Sequence, residues 1–479
     1  MFFGRFITTA SAFRRASMLA KRHRSALTSP LGATCYKLSS SSDGKFVQES
    51  QFCPSPIKET IGNMRVLFLT NSFNSMAQRA YLELTDTYMT DVHIEFAIDE
   101  KQIVNSVKRV NPDVIICPFL TKRIPEAIWR NQDVPCLVMH PGIRGDRGAS
   151  SIDWALKENS PEWGVTVLQA DEEMDVGAIW STKNFQVPSD ITKSDMYAHL
   201  VVDSAMECLH EALAKVATGD QGIPLDYNDP EVKGTLRPNM KLSDRTVDFN
   251  ASADDVATTI RYSDSAPGAA ADFDGQKVFL YNVHVEKDCK SPQALPGTIT
   301  GKLNGAVRIA CASGSVWVTH MKGRGKGTSL PCIKLPATDV LPQAIVSDVP
   351  EVAKPDIFAN LNESPYADVW VTIEEEVAVI NFPFLNGAMS TDQCNRLTQS
   401  FQETIQRSDV KVVVLAGGGS AWSNGINLNT IEAAGDPAEE SWRNINAIND
   451  FVKAVFSAQD KVTVAALQGN AGMNSFTVI

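Results

Sequence analysis

The stretch HPGIRGDRGASSIDWAL, His140 to Leu156, follows directly on the apolar run Cys136-Leu137-Val138-Met139. A short apolar run bounded by turn residues reads as a buried parallel strand, and this one delivers His140 to its C-terminal end. Pro141, Gly142, Gly145 and Gly148 then supply turn chemistry around Arg144 and Arg147. Ala149-Ser150-Ser151 has the residues of a helix N-cap, and Asp153 falls in the first turn of a helix through Trp154 and Leu156. In open α/β sheets the ligand crevice lies outside the carboxyl ends of the strands. A histidine, two arginines and a helix start bearing Ser150 and Ser151 therefore meet where an anionic or carbonyl-bearing ligand would sit. A second strand, Gly164 to Leu168, leads into the acidic loop Asp171-Glu172-Glu173-Met174-Asp175-Val176-Gly177. Asp175 is placed there to orient and charge-stabilise His140, and Gly177 lets the backbone approach closely.

Upstream, Met64 to Thr70 reads as a first buried strand, Val92 to Phe96 as a second, and Val114 to Cys117 as a third. A helix around Ile103 to Val110 separates the last two. Alternating strands and helices of this length mean a doubly wound parallel sheet of the α/β class. No G-x-G-x-x-G follows the first strand, so dinucleotide binding of the usual kind is not indicated. Gln78 and Arg79 lie just after that strand; they read equally as ligand contacts and as solvent-facing helix residues. Apolar positions from Met196 to Leu213 recur at helical spacing, so Asp195 to Val216 is expected as one long helix closing the domain.

Length and composition set the outer bounds. A chain of 479 residues needs roughly two to four domains. Its net charge of -12 argues against a dedicated nucleic-acid binder. Nine cysteines without a C-x-x-C pair fit reduced thiols filling core gaps, and the scattered histidines give no metal site. No stretch is long and apolar enough to suggest a membrane span. The first 45 residues differ from the rest: Arg5, Arg14, Arg15, Lys21, Arg22 and Arg24 interleave with apolar residues, and no acid precedes Asp43. That pattern is expected of a mitochondrial transit peptide over residues 1–45 and a mature protein in the matrix.

Downstream, a helix over Ala251 to Ile260 is followed by short strand-like runs at Val278, Gly297, Ala306 and Ser315, the spacing of a small β-barrel. Lys322, Arg324 and Lys326 form a basic cluster there, read as a solvated turn ahead of a phosphate site. Prolines from Pro331 to Pro365 mark a linker. Beyond it, Val369 to Ile373 and Val377 to Phe382 make a hairpin across Glu374-Glu375-Glu376. The strand Val412 to Leu415 then meets the glycine-rich turn GGGSAWSNGINL, Gly417 to Leu428.

His140-Pro141, Arg147-Gly148 and Asp175-Val176-Gly177 resemble, in order and spacing, the site of 10-formyltetrahydrofolate-dependent formyltransferases. The segments SFNSMAQR (Ser72 to Arg79), PFLTKRIPEAIW (Pro118 to Trp129), HPGIRGDRGASSIDWAL and LRPNMKLSDR (Leu236 to Arg245) resemble one branch, the HypX (HoxX) proteins. These join a formyltransferase module to a crotonase, or enoyl-CoA hydratase/isomerase, module. The resemblance implies a catalytic folate-binding domain over 64–245, an OB-like C-terminal domain over 248–330, a linker over 331–365 and a crotonase domain over 366–479. It also implies transfer of a formyl group from 10-formyltetrahydrofolate to CoA, then release of carbon monoxide from formyl-CoA. His140 and Asp175 are the implied catalytic pair, with Gln78, Arg79, Arg144, Arg147, Ser150, Ser151 and Gly177 toward the cofactor. By motif position Ile426 donates a backbone N–H to the oxyanion hole of the crotonase module.

Two departures accompany the resemblance. The family's asparagine two residues before the histidine is Val138, and LQGNAGMNSFTVI ends the sequence where a crotonase continues. The crotonase module is therefore expected to be partial, with a poorly covered apolar surface. A mitochondrial methionyl-tRNA formyltransferase and a non-catalytic folate- or CoA-binding protein are the alternatives. Folate and CoA are the expected small-molecule partners; no protein partner is indicated.

Overall fold

The computed structural model describes residues 55–131, 133–286, 294–325, 328–359, 366–467 and 469–472. The expected transit peptide lies outside the described residues, as do Lys326 and Met473 to Ile479. The chain divides between Lys241 and Leu242 into two compact units.

The first unit is built on a six-stranded sheet of β1 (Arg65–Thr70), β2 (Asp91–Phe96), β3 (Val114–Phe119), β4 (Cys136–His140), β5 (Glu162–Gln169) and β6 (Ile179–Gln186), in the order β2-β1-β3-β4-β5-β6. The first four strands are mutually parallel. β1 and β3 each bury five residues in succession, because helices cover both faces of a parallel sheet. On one face the helix Glu100–Val110, capped by the Asp99 carboxylate on Gln102 N–H, packs Ile103 and Val110 against Leu67, Leu69, Ile115 and Cys117. The helix Val202–Thr218 packs on β5 and β6 with Ala205, Cys208, Leu209 and Leu213 buried. It is entered through a π-helical stretch, Met196–Val201, where the sequence suggests uninterrupted α-helix.

β5 and β6 run antiparallel to their neighbours. Apolar runs report burial and not direction, so the reversal at the sheet's end is invisible in the sequence. It matters for the site, since it sets His140 opposite Thr166 of β5.

In the second unit the helix Ala253–Tyr262, capped by Ser252 on Asp255 N–H, packs against an antiparallel sheet. Its strands are β7 (Ala269–Phe273), β8 (Gln276–Glu286), β9 (Ile299–Leu303), β10 (Ala306–Ala310) and β11 (Ser315–Gly323), ordered β7-β8-β11-β10-β9. Within the span 331–365 expected as a linker, part of residues 331–349 is packed. Leu335 lies in β12 (Leu335–Pro336), which pairs with β11, and Val340, Leu341 and Val346 enter the core of the β domain. Pro336 and Pro342 stand at the N-caps of two short helices, where a missing N–H costs nothing; prolines here start structure and do not prevent it.

The remainder is a second α/β layer. β13 (Trp370–Glu374) and β14 (Val377–Phe382) form the expected hairpin, its two-residue turn holding Glu375 at φ 53. β16 (Val412–Gly417) and β19 (Val462–Ala465) extend it in parallel. The helices Thr391–Ile405, opened by a Ser390/Gln393 capping box, and Pro437–Ser457 bury Leu397, Phe401, Ile448 and Phe451 against Ile380, Val413 and Leu415. At the sheet's edge every residue of β19 is only half-buried, and Trp442 and Phe456 stand 66% and 64% exposed.

Candidate active site

His140 ends β4 at the carboxyl edge of the parallel strands, with 6% of its side chain exposed. The chain must turn sharply beyond it, and each contact of that turn can be traced. The carbonyl of Pro141 accepts from Ser151 Oγ (2.7 Å) and from Trp163 Nε1 (3.1 Å), while Thr166 Oγ1 donates to the Gly142 carbonyl at 2.9 Å. The loop then doubles back so that Asp146 Oδ2 lies 2.9 Å from His140 Nε2. Gly142 is what allows this: a Cβ there would stand 2.4 Å from both of those atoms.

A strap from the far end of the unit holds the loop in place. Gly234 N–H donates to Arg144 O (3.0 Å), Arg147 N–H to Thr235 O (3.2 Å) and Arg237 N–H to Arg147 O (3.0 Å). The approach is so close that a Cβ on Gly234 would lie 1.9 Å from Asp146 N, and one on Gly148, at φ 116, would lie 2.5 Å from Arg237 O. The sequence marks Leu236 to Arg245 only as a family segment and a loop-rich connection; its strapping role emerges in three dimensions.

On the other side of the ring Asp175 Oδ1 lies 3.6 Å from His140 Nδ1, and Asp175 Oδ2 accepts the Gly148 N–H at 3.1 Å. Asp175 holds a left-handed backbone, φ 64, which a residue other than glycine adopts at some cost. His140 is thus clamped between two carboxylates, both nearly out of solvent. Burial pulls its imidazolium down, but the hydrogen bond to Asp146 and the charges of Asp175 and Asp146 outweigh burial and raise its pKa above the ordinary 6.5. Sequence reasoning singles out His140 and Asp175 and passes over Asp146. The available signal was its position as the acid of the loop between His140 and Gly148, enclosed by glycines.

The remaining candidates divide. Arg144 pairs with Asp229 (3.0 Å) and Arg147 with Glu173 (2.7 Å), each leaving a buried Nε without a hydrogen-bond partner among the described residues. Both arginines therefore flank the histidine loop. Ser150 is the N-cap residue by position, but its hydroxyl accepts Met240 N–H at 3.0 Å instead of capping the helix Ser151–Lys157. Ser151 is spent on Pro141, as above. Gly177 does permit a close approach, and what approaches is β5: a Cβ would meet Gln169 O at 1.9 Å. Gln78 donates to Phe73 O, and Arg79, 50% exposed, pairs with Glu83. Both side chains lie on the outer face of the helix Ser75–Leu82. Burial pushes the thiols of Cys208 and Cys394 up to about 12, which makes them poor nucleophiles.

Ile426 belongs to the second unit. It lies in β18 (Gly425–Ile426), paired in parallel with β15 (Ala388–Met389). The fully buried Asn444 pins this turn, donating to Met389 O (2.9 Å) and accepting Asn427 N–H (3.1 Å). Gly472 N–H is taken up by Ser423 O at 2.6 Å.

Comparison with known proteins agrees with this geometry. Residues 73–213 match the formyl transferase family and residues 239–329 the formyl transferase C-terminal domain. The chain is 36% identical over 411 residues to the hydrogenase maturation factor HoxX of Bradyrhizobium diazoefficiens, covering 85% of this chain and 68% of that protein. It is 30% identical over 231 residues to the methionyl-tRNA formyltransferase of Thermotoga maritima, covering 48% of this chain and 72% of that one. The crystal structure of HypX from Aquifex aeolicus in complex with tetrahydrofolic acid matches with a TM-score of 0.79 at 37% identity, over 87% of this chain and 71% of that one. On these likenesses the chain belongs to the HypX/HoxX family of formyltransferases.

Proposed function

We propose that this enzyme moves the formyl group of 10-formyltetrahydrofolate onto the thiol of CoA. The observation that carries the reading is the clamped His140. A base whose pKa is raised by two carboxylates is matched to taking a proton from a weakly acidic acceptor and returning it to the leaving amine. A thiol, with an ordinary pKa of about 8.5, needs only modest activation. That accounts for a site with Val138 where the family resemblance expects an amide. Tetrahydrofolic acid in the A. aeolicus relative supports folate as the donor. Arg144 and Arg147, whose buried Nε atoms meet no acceptor among the described residues, are suited to an anionic ligand.

CoA as acceptor is supported by the second unit's layer over 366–472, in which β14, β16 and the glycine-rich turn at Gly417 to Leu428 follow the crotonase order. Release of carbon monoxide from formyl-CoA would belong to that layer, with the Ile426 N–H stabilising the thioester oxygen. The basic, acid-free N-terminus supports operation in the mitochondrial matrix.

The test offers the protein a 13C-formyl donor with CoA, with initiator tRNA, or with neither, and follows the label by mass spectrometry. Label in formyl-CoA alone is expected. Label in formyl-methionyl-tRNA would replace CoA as the acceptor, and folate binding without any transfer would leave a binding protein.

A further inference from the structure

The two ring nitrogens of His140 have unequal partners. Nε2 lies 2.9 Å from Asp146 Oδ2, a hydrogen bond sealed from solvent, the two side chains being 6% and 1% exposed. Nδ1 lies 3.6 Å from Asp175 Oδ1, beyond hydrogen-bond reach, and the other oxygen of Asp175 is occupied by the Gly148 N–H. A carboxylate only accepts, so Asp146 requires its proton partner on Nε2. In the neutral ring the lone pair is then on Nδ1.

We infer that Asp146 is the positioning residue of the site: it fixes the Nε2–H tautomer of His140, leaves Nδ1 as the basic nitrogen, and reserves Asp175 for the Nδ1–H that forms during transfer. The inference rests on the formyl-transfer reading above. In the step, the acceptor S–H bond breaks and its proton goes to Nδ1 while the sulfur bonds the formyl carbon and the carbonyl π pair moves onto oxygen. The carbonyl then re-forms as the carbon–N10 bond of the donor breaks, and N10 takes the proton back from Nδ1. His140 ends neutral, and nothing is oxidised or reduced.

The fold around Asp146 is consistent with a dedicated role. Gly142 and Gly234 each leave room that a Cβ would fill, one at the carboxylate and one at the Asp146 backbone. Asp146 N–H closes the turn on Ile143 O at 2.8 Å. Oδ1 is buried with no partner among the described residues, so the carboxylate is not there to tie the loop together with both oxygens. Leaving a buried acceptor unpaired is costly, and a residue serving only the loop would be replaced at a gain.

The test is a tautomer measurement on the full chain labelled with 15N-histidine, His140 being assigned among seven histidines by its loss in His140→Ala. Above the His140 pKa, long-range 1H–15N correlation is expected to show protonated Nε2 and bare Nδ1. In Asp146→Asn the amide N–H donates to Nε2, so the proton moves to Nδ1, facing Asp175. Turnover is then expected to fall on the order of a thousand-fold in kcat, with KM changed far less. The acid limb of the rate profile moves to lower pH as the Asp146 charge is lost, Asp175 remaining the acid that faces the ring. A wild-type ring protonated on Nδ1, or an Asp146→Asn protein with unchanged tautomer and profile, would overturn the inference. Should Asp146→Asn fail to fold, the wild-type spectrum decides alone. Absence of transfer in the wild type would sink the formyl-transfer reading and still leave the tautomer measured.

Discussion

At the scale of the residue, one glycine and one histidine set the expectations. Gly142→Ala places a methyl 2.4 Å from both His140 Nε2 and Asp146 Oδ2. The clamp must open by about an ångström, which typically lowers turnover on the order of a hundred-fold. A thermal melt should show that the fold survives, and an active Gly142→Ala would mean that the His140–Asp146 contact is dispensable. The charge of His140 gives a second expectation. Its pKa is raised above 6.5, so the neutral base is lost as pH falls through that raised value, and kcat/KM should drop with an acid limb above 6.5. For stability the sign is opposite. The carboxylate clamp favours the charged ring, and its contribution is complete below the unfolded pKa and lost as pH rises through the folded one. Val138→Asn, which restores the amide the family resemblance expects, should bring no large gain with a thiol acceptor; a much faster enzyme would refute the thiol explanation.

At the scale of the element, the loop and its strap succeed or fail together. Gly234→Ala would drive a methyl to 1.9 Å from Asp146 N, displacing the strap and costing about 1–3 kcal/mol by overpacking. Chemical denaturation would measure it, and a neutral result would show that the strap yields freely. Asn444→Ala in the second unit strands Met389 O and Asn427 N–H, at a cost of about 1–3 kcal/mol. Its effect should fall on the turn at Ile426, read by hydrogen exchange at Asn427, and leave formyl transfer intact. Glu83 has a different dependence. The hydrogen bond from His210, assisted by Arg79 against the opposing push of burial, lowers its pKa to about 2, so its contribution is present above pH 4.5 and is lost as pH falls toward 2.

How much was legible follows from which interactions are local. The apolar run before His140, the helix around Ile103 to Val110 and the hairpin at Glu375 are written within a few neighbouring residues, and periodicity and turn chemistry suffice to place them. His140 was legible because it ends an apolar strand run, and Asp175 because it opens the Asp-x-Gly of the loop between β5 and β6. Asp146 was not, since its meeting with His140 depends on Gly142 turning the chain back and on Gly234 clearing space from 88 positions further on. The serines at 150 and 151 had the composition of a ligand-binding helix start; their hydroxyls went to Met240 and Pro141, groups that no local reading connects to them.

At the scale of the whole molecule, a formyltransferase pair of domains occupies residues 73–213 and 239–329, followed by an α/β layer with its own packed core. In the proposed reaction the first of these transfers formyl to a thiol through His140. It is tested by the rate at which the full chain releases tetrahydrofolate from 10-formyltetrahydrofolate, with and without CoA, for wild type and His140→Ala. CoA-dependent release is expected in the wild type, and its loss in the variant. CoA-independent release, or a His140→Ala protein as fast as the wild type, would contradict it.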